Sequence, residues 1–237
     1  METGHRFAGK LSEDYDLVRV MIPHYDEHQD TIHTAIEAFA LTHTPIEILP
    51  TIDIGCGTGF TAERILDADP RTTLIAIDNE PAMMDQARVR LERFGNRVTF
   101  YEMDALEAIG RLPARSAEIV ASGCVLHNLP HDYRWRLMRK IGRVLVPGGL
   151  FVNADKFGLD DPMEHMLQLA EQLKNISVLD DMGRSDLREA WHAHYLEDEE
   201  INFTESEQKA LLRESGFWGI TTIYRKRLEA TIAAFKK

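Results

Sequence analysis

The chain is short of cysteine, short of basic residues relative to acidic ones, and without any long apolar run. Cys56 and Cys124 are its two cysteines, too few for a disulfide framework or a structural zinc cluster. Lys+Arg 27 against Asp+Glu 39 leaves a formal net charge of −12. A surface that acidic repels phosphate backbones and anionic lipid, so small molecules, rather than nucleic acid or membrane, are the expected partners. No window reaches the run of about 20 apolar residues that a membrane span requires. The polar stretch Met1–Ser12 lacks an apolar segment with a small-residue cleavage site, so no signal peptide is expected and the expected location is cytoplasmic.

What is present is ordinary for a globular protein. The 237 residues are 44% apolar and 28% charged, enough to bury one large core. Glu13–Leu41 is helical in pattern and divided by Pro23, which cannot sit inside a helix. After Pro50 short β-branched runs begin: Thr51–Ile54, Leu74–Asp78, Arg97–Tyr101, Glu118–Ser122 and Leu150–Ala154. Helical stretches lie between them at Thr61–Asp67, Ala82–Phe94, Ala105–Ile109 and Asp132–Val144. Strands that alternate with helices and are apolar on both faces predict a parallel sheet covered on both sides. Right-handed crossovers then bring the strand C-termini to one edge, where ligands bind. Pro147-Gly148-Gly149 predicts a tight turn feeding the fifth strand. Pro162–Glu200 breaks the alternation as a helical insertion, Thr204-Glu205-Ser206-Glu207 is a capping box, and Ile220–Arg225 with Leu228–Phe235 predicts a hairpin at a sheet edge. The expected organisation is an N-terminal helical lid over residues 1–45 and a main domain over 46–237, with the insertion at about 160–200.

The segment Ile52-Asp53-Ile54-Gly55-Cys56-Gly57-Thr58-Gly59 is the most informative. A strand ends, glycines alternate, and a helix begins, so the backbone can take positive φ and approach a ligand closely. The spacing differs from the Gly-x-Gly-x-x-Gly of dinucleotide sites, and Asp53 adds negative charge beside the loop. Both features disfavour a pyrophosphate, and with it a nicotinamide dehydrogenase, and favour a ligand bearing a cation or amine. Asp78 ends the second strand, where a carboxylate can accept both hydroxyls of a ribose. Asp104 follows the third, placed to meet an adenine amine; as a helix N-cap it has an equally good structural reason to be there. Three acids after three successive strands describe a site for an adenosine with a positively charged tail. S-adenosylmethionine fits that description.

With these motifs the chain resembles the class I S-adenosylmethionine-dependent methyltransferases from about Tyr15 to Phe235. Ile52–Gly59 resembles the family's first motif, Ile75–Asn79 its second, Glu102–Ala105 its third, Ala121–Leu129 its fourth and Arg143–Gly149 its glycine turn. The resemblance implies an α/β, Rossmann-like fold with a seven-stranded, mostly parallel sheet and a C-terminal antiparallel hairpin. It implies that Gly55, Cys56 and Gly57 meet the methionyl amine and ribose, with Asp53 compensating the amine. It further implies that Asp78 holds the ribose, Asn79 and Met83 flank the adenine, and Asp104 and Ala105 read its edge. Ser122 and Gly123 would offer carbonyls to the amine, and Tyr15 and Arg19 would hold the methionyl carboxylate. Tyr15-Asp16-x-x-Arg19 and Ile22-Pro23-x-Tyr25 resemble the lid of a subgroup acting on small molecules. That lid and Asp155-Lys156-Phe157 also resemble carboxy-S-adenosylmethionine synthase, whose carboxylate-binding residues are not matched here.

The implied activity is methyl transfer to a small metabolite or natural-product intermediate, releasing S-adenosylhomocysteine; a homodimer is compatible with it. Alternatives that keep the cofactor are cyclisation of its aminobutyryl arm with release of methylthioadenosine, carboxy-S-adenosylmethionine synthesis, or a non-catalytic binding module. Methyl transfer from a sulfonium mainly needs alignment and exclusion of water. Where the acceptor must lose a proton, His127 is the candidate base, although it can equally orient Asn128; Tyr25 is the candidate for lining the acceptor site. No metal site is expected: His24/His28, His127/His131 and His192-x-His194 have suggestive spacings, but histidines on polar helices commonly bind nothing.

Overall fold

A computed structural model describes residue 7, residues 9–43 and residues 47–237. The expected boundary between 45 and 46 and the first six residues of the polar N-terminal stretch lie outside them. The main sheet comprises β1 (Leu49–Ile54), β2 (Thr72–Asp78), β3 (Val98–Glu102), β4 (Ala117–Gly123), β5 (Leu145–Lys156), β6 (Phe217–Lys226) and β7 (Glu229–Lys236). The strand order is β3-β2-β1-β4-β5-β7-β6, with β1 to β5 parallel and β7 antiparallel to both neighbours. Order reverses between β1 and β4, so their C-terminal ends part and leave a crevice there.

The helices are α1 (Lys10–Glu13), α2 (Val18–Met21), α3 (Tyr25–Thr42), α4 (Phe60–Ala68), α5 (Pro81–Arg90), α6 (Ala105–Arg111), α7 (His131–Val144), α8 (Pro162–Asn175), α9 (Val178–Asp181), α10 (Ser185–Glu200) and α11 (Glu205–Glu214). On one face of the sheet, Ile109, Leu137, Ile141 and Leu212 bury against Ile52, Val120 and Phe151. On the other, Ile32, Ile36, Ile65 and Met84 bury against Leu74, Ala121 and Val152. A third, smaller core joins Val18, Met21 and Tyr25 to Leu179, Leu187, Trp191 and Tyr195. The N-terminal segment up to Tyr25 and the insertion after β5 are thus one apolar unit above the strand ends, while the rest of α3 belongs to the second core.

Three local expectations shift. The helical N-terminal stretch is broken ahead of Pro23 into α1, a 3-10 turn over Tyr15–Leu17 and α2, and α3 starts only after His24 at φ 69°. The helix after β2 stops at Arg90 and passes into 3-10 turns through Gly95 at φ 56°. Pro147-Gly148-Gly149 is not a turn ahead of β5 but a bulge inside it: Ala117 pairs with Leu145 while Ile119 pairs with Leu150, and Gly148 takes φ +83°. The capping box at Thr204 forms with both reciprocal bonds. Among the described residues, no helix is long and apolar enough to cross a membrane.

Candidate functional site

The turn after β1 carries Gly55, Gly57 and Gly59 at φ +67°, +52° and +92°. At Gly55 a Cβ would lie 2.5 Å from Cγ2 of Val125, so the close approach of this turn to the loop after β4 admits no side chain. The Gly57 amide donates to Oδ2 of Asp78 at 2.8 Å, and the Glu80 amide donates to Oδ1 at 2.9 Å. Burial pushes the Asp78 carboxyl above its ordinary value against the pull of these backbone donors.

Beside the turn opens a concave, largely apolar cleft, the character of a small-molecule site. Its floor is Gly55, Cys56 and Gly57; Asp78, Asn79 and Met83 form one wall; Asp104 and Ala105 lie at one end, and Gly123, Tyr15 and Tyr25 at the other. The strand ends therefore gather eleven of the expected residues around one space. Asp104 does two things at once: it caps α6 by accepting from the Glu107 amide at 3.1 Å, and its other oxygen accepts from the Tyr133 hydroxyl at 2.7 Å. The cap and the pocket position are both real.

Three expected cofactor contacts lie outside the cleft. Asp53 is fully buried within β1 with neither carboxylate oxygen hydrogen-bonded, and its register puts it on the sheet face of Ala76 and Ala121. Desolvation holds its carboxyl well above the usual range. Ser122 is sealed in β4, its hydroxyl donating to the Ile54 carbonyl at 3.4 Å. Arg19 pairs with Asp26 at 2.6 Å and lies over the Phe60 ring, half-exposed.

His127 also lies off the cleft, in a second, smaller chamber that shares Tyr15, Tyr25 and Cys124 with it. It sits in a 3-10 turn just past β4 (Leu126–Asn128). Its Nδ1–H donates to Oδ1 of Asp155 at 2.5 Å, and its backbone amide donates to Oδ2 at 3.2 Å. A fully buried carboxylate on Nδ1 fixes the tautomer, so the Nε2 lone pair faces away from it. Asp155 was not among the expected site residues. It is the next-to-last residue of β5, as Asp78 is the last of β2, and the strand-end rule that singled out Asp78 extends to it. Lys156, His194 and Tyr133 also line the two spaces; Lys156 and Tyr133 come together with the rest only through the tertiary fold.

Residues 51–149 match the methyltransferase domain family model. Over 241 residues the chain is 30% identical to a carboxy-S-adenosyl-L-methionine synthase of Wolinella succinogenes, covering 99% of this chain and 93% of that protein. The chain belongs to the class I S-adenosylmethionine-dependent methyltransferase family. It is also 26% identical to the synthase of the same name from Campylobacter lari over 93% of its length and 89% of the relative's. In fold it is similar to the CurJ carbon methyltransferase, at a TM-score of 0.64 and 15% identity, covering 87% of this chain and 53% of that one. It is likewise similar to a Haemonchus contortus N-methyltransferase solved with phosphomonomethylethanolamine and S-adenosylhomocysteine, at a TM-score of 0.56 and 15% identity, covering 86% and 52%. The chain spans about half the length of these solved structures. S-adenosylmethionine is the family's cofactor, and the cleft fits it. Gly55 and Gly123, which line it, pack so closely against Val125 and Thr61 that neither position has room for a Cβ.

Proposed function

We propose that this chain transfers a methyl group from S-adenosylmethionine to a small-molecule acceptor held in the second chamber. The observation that carries the reading is the shared boundary: Tyr15, Tyr25 and Cys124 line both spaces, and His127 with Asp155 stands on the far side of it. When bound, the cofactor supplies a methyl on a sulfonium that is already a good leaving group.

In this reading Asp78 accepts the ribose hydroxyls, Met83 and Asn79 flank the adenine, and Asp104 with the Ala105 backbone reads its edge. The Gly55–Gly57 backbone and the Gly123 carbonyl meet the amino-acid end. The rings of Tyr15 and Tyr25 face the boundary, where aromatic faces favour positive charge; burial drives both phenols well above their ordinary pKa, so they stay neutral. His127 engages the acceptor's nucleophilic atom through Nε2, and Asp155 holds the imidazole in that orientation. The segment ahead of α3 acts as a lid and the insertion at about 160–200 as a cap, which together exclude water through their common apolar core.

Carboxy-S-adenosylmethionine synthesis is the second reading, favoured by the names of the two bacterial relatives. A carboxylate brought beside the sulfonium calls for a cation to receive it. Among the described residues, Lys156 is the Lys or Arg that lines the chamber, and its Nζ stands 3.7 Å from Asp198 and 3.4 Å from Glu199. A cation already shared between two carboxylates is a poor receptor for a third, which favours a neutral or cationic acceptor. Mass spectrometry of the nucleoside formed from S-adenosylmethionine and a metabolite extract decides. S-adenosylhomocysteine supports methyl transfer; carboxy-S-adenosylmethionine or methylthioadenosine overturns it.

A further inference from the structure

Beyond His127, α10 brings His194 and Asp198 to the same wall. Nε2 of His127 stands 3.8 Å from Oδ2 of Asp198, and Nε2 of His194 stands 3.7 Å from Oδ1 of the same carboxylate. The three donor atoms all lie within 4.8 Å of one another. His194 and Asp198 are one helical turn apart, and both are 3% exposed. His127 reaches them from the loop after β4, with Nε2 turned toward them because Asp155 occupies Nδ1.

The cluster mixes carboxylates and imidazoles: Asp155, Asp198 and Glu199 each stand in ion-pair range of one or more of Lys156, His127, His194 and His165. Two imidazole nitrogens and one carboxylate are a donor set for zinc or another divalent first-row metal, with positions left open for an exogenous ligand. A carboxylate behind a ligating imidazole is the usual outer support of such a centre. Ligand atoms at about 2.0–2.1 Å from a tetrahedral ion stand about 3.4 Å apart, so three donor atoms spread over as much as 4.8 Å must draw together by up to about 1.4 Å when an ion binds.

We infer that His127, His194 and Asp198 form a binding site for one divalent transition-metal ion on the wall of the second chamber. The site stands on this geometry; its role rests on the transferase reading of the chamber. There the bound ion would replace the free His127 Nε2 as the group that meets a hydroxyl or amine of the acceptor, and would lower its pKa.

Metal-stripped protein titrated with Co²⁺ tests this by visible spectroscopy, with Zn²⁺ as competitor. One equivalent should bring up ligand-field bands that Zn²⁺ abolishes. Asp198→Asn and His194→Gln should each weaken binding more than tenfold, while His192→Gln on the exposed side of α10 should not. Should Asp198→Asn fail to fold, His194→Gln carries the comparison. Wild-type protein that takes up no Co²⁺ below millimolar concentration, or variants that bind it as wild type does, overturns the site. S-adenosylhomocysteine binding, measured on the same samples, separates the two ideas. Its loss in wild type overturns the transferase reading whatever the metal does, and its retention in metal-free variants leaves that reading standing.

Discussion

The carboxylate of Asp78 accepts the amide hydrogen of Gly57 at 2.8 Å, tying the end of β2 to the glycine turn after β1. One side chain therefore shapes the floor of the cleft and supplies charge to its wall. Asp78→Asn removes the charge and turns an amide N–H₂ toward one of two backbone donors. Affinity for S-adenosylhomocysteine should fall by about 1–3 kcal/mol, as for loss of charge-assisted hydrogen bonds. Because burial raises this carboxyl's pKa, wild-type affinity should decline on acidification while the pH is still above the ordinary carboxylate range; the Asn variant should show no such decline. Calorimetry across that range reads both effects.

Gly55→Ala sets a side chain where φ is +67° and Val125 Cγ2 is 2.5 Å away. Backbone strain and overlap should together cost about 2–4 kcal/mol. Val125→Ala in the same chain relieves the overlap and leaves the strain, so urea unfolding should show partial rescue. Full rescue would mean that positive φ is not required at this turn.

Asp53, buried with both oxygens unpartnered, has its carboxyl held well above the usual range by desolvation. A raised folded-state pKa contributes stability that is fully present below the unfolded value of about 3.9 and lost as pH rises through the folded value. Asp53→Asn is neutral throughout, so its stability should be flatter with pH and exceed wild type on the alkaline side by on the order of 1 kcal/mol. Affinity for S-adenosylhomocysteine should not change, since Asp53 does not line the cleft. A drop in affinity would restore the role as amine counter-charge that its motif implies.

Asp16 accepts from the Thr58 hydroxyl at 2.9 Å and from Arg90 at 2.6 Å, while Arg90 Nε donates to the Thr58 carbonyl at 2.8 Å. The segment ahead of α3 is thereby fastened to the glycine turn. Asp16→Ala should speed S-adenosylhomocysteine release several-fold, in line with about 1 kcal/mol for a half-exposed pair. The difference should narrow in high salt. Stopped-flow release at two ionic strengths measures it.

The strands, the glycine turn and the rim acids were legible because each is a local pattern: a β-branched run, alternating glycines, an Asp at a strand end. The positions of Asp53 and Ser122 were not, because period-two alternation assigns a residue to a sheet face but does not say which face borders the crevice. The bulge at Pro147–Gly149 looked like a turn because the same residue types serve both. The His127–His194–Asp198 cluster was invisible for another reason. Helical spacing suggested His127 with His131, whereas His131 stacks edge-on against Phe203, and the true neighbours arrive from α10 across the insertion.

Asp155 accepts three donors at once: the imidazole Nδ1–H and backbone amide of His127, and the Lys156 amide. An asparagine there has one oxygen for them. If its N–H₂ faces the His127 amide, two donors collide; if it faces the ring, Nδ1 must become an acceptor and the proton moves to Nε2. The second outcome withdraws the lone pair that His127 presents to the acceptor chamber, and the first displaces the turn that presents it. Asp155→Asn and His127→Ala should therefore both lower turnover by about 10²–10⁴-fold, the range for losing a positioned proton acceptor. Affinity for S-adenosylhomocysteine should be unchanged, because His127 lines the chamber and not the cleft. Nitrogen NMR of the His127 ring should report the proton on Nδ1 in wild type and on Nε2 in the Asn variant. A variant that keeps both the wild-type tautomer and wild-type turnover would show that Asp155 serves the β5 terminus alone.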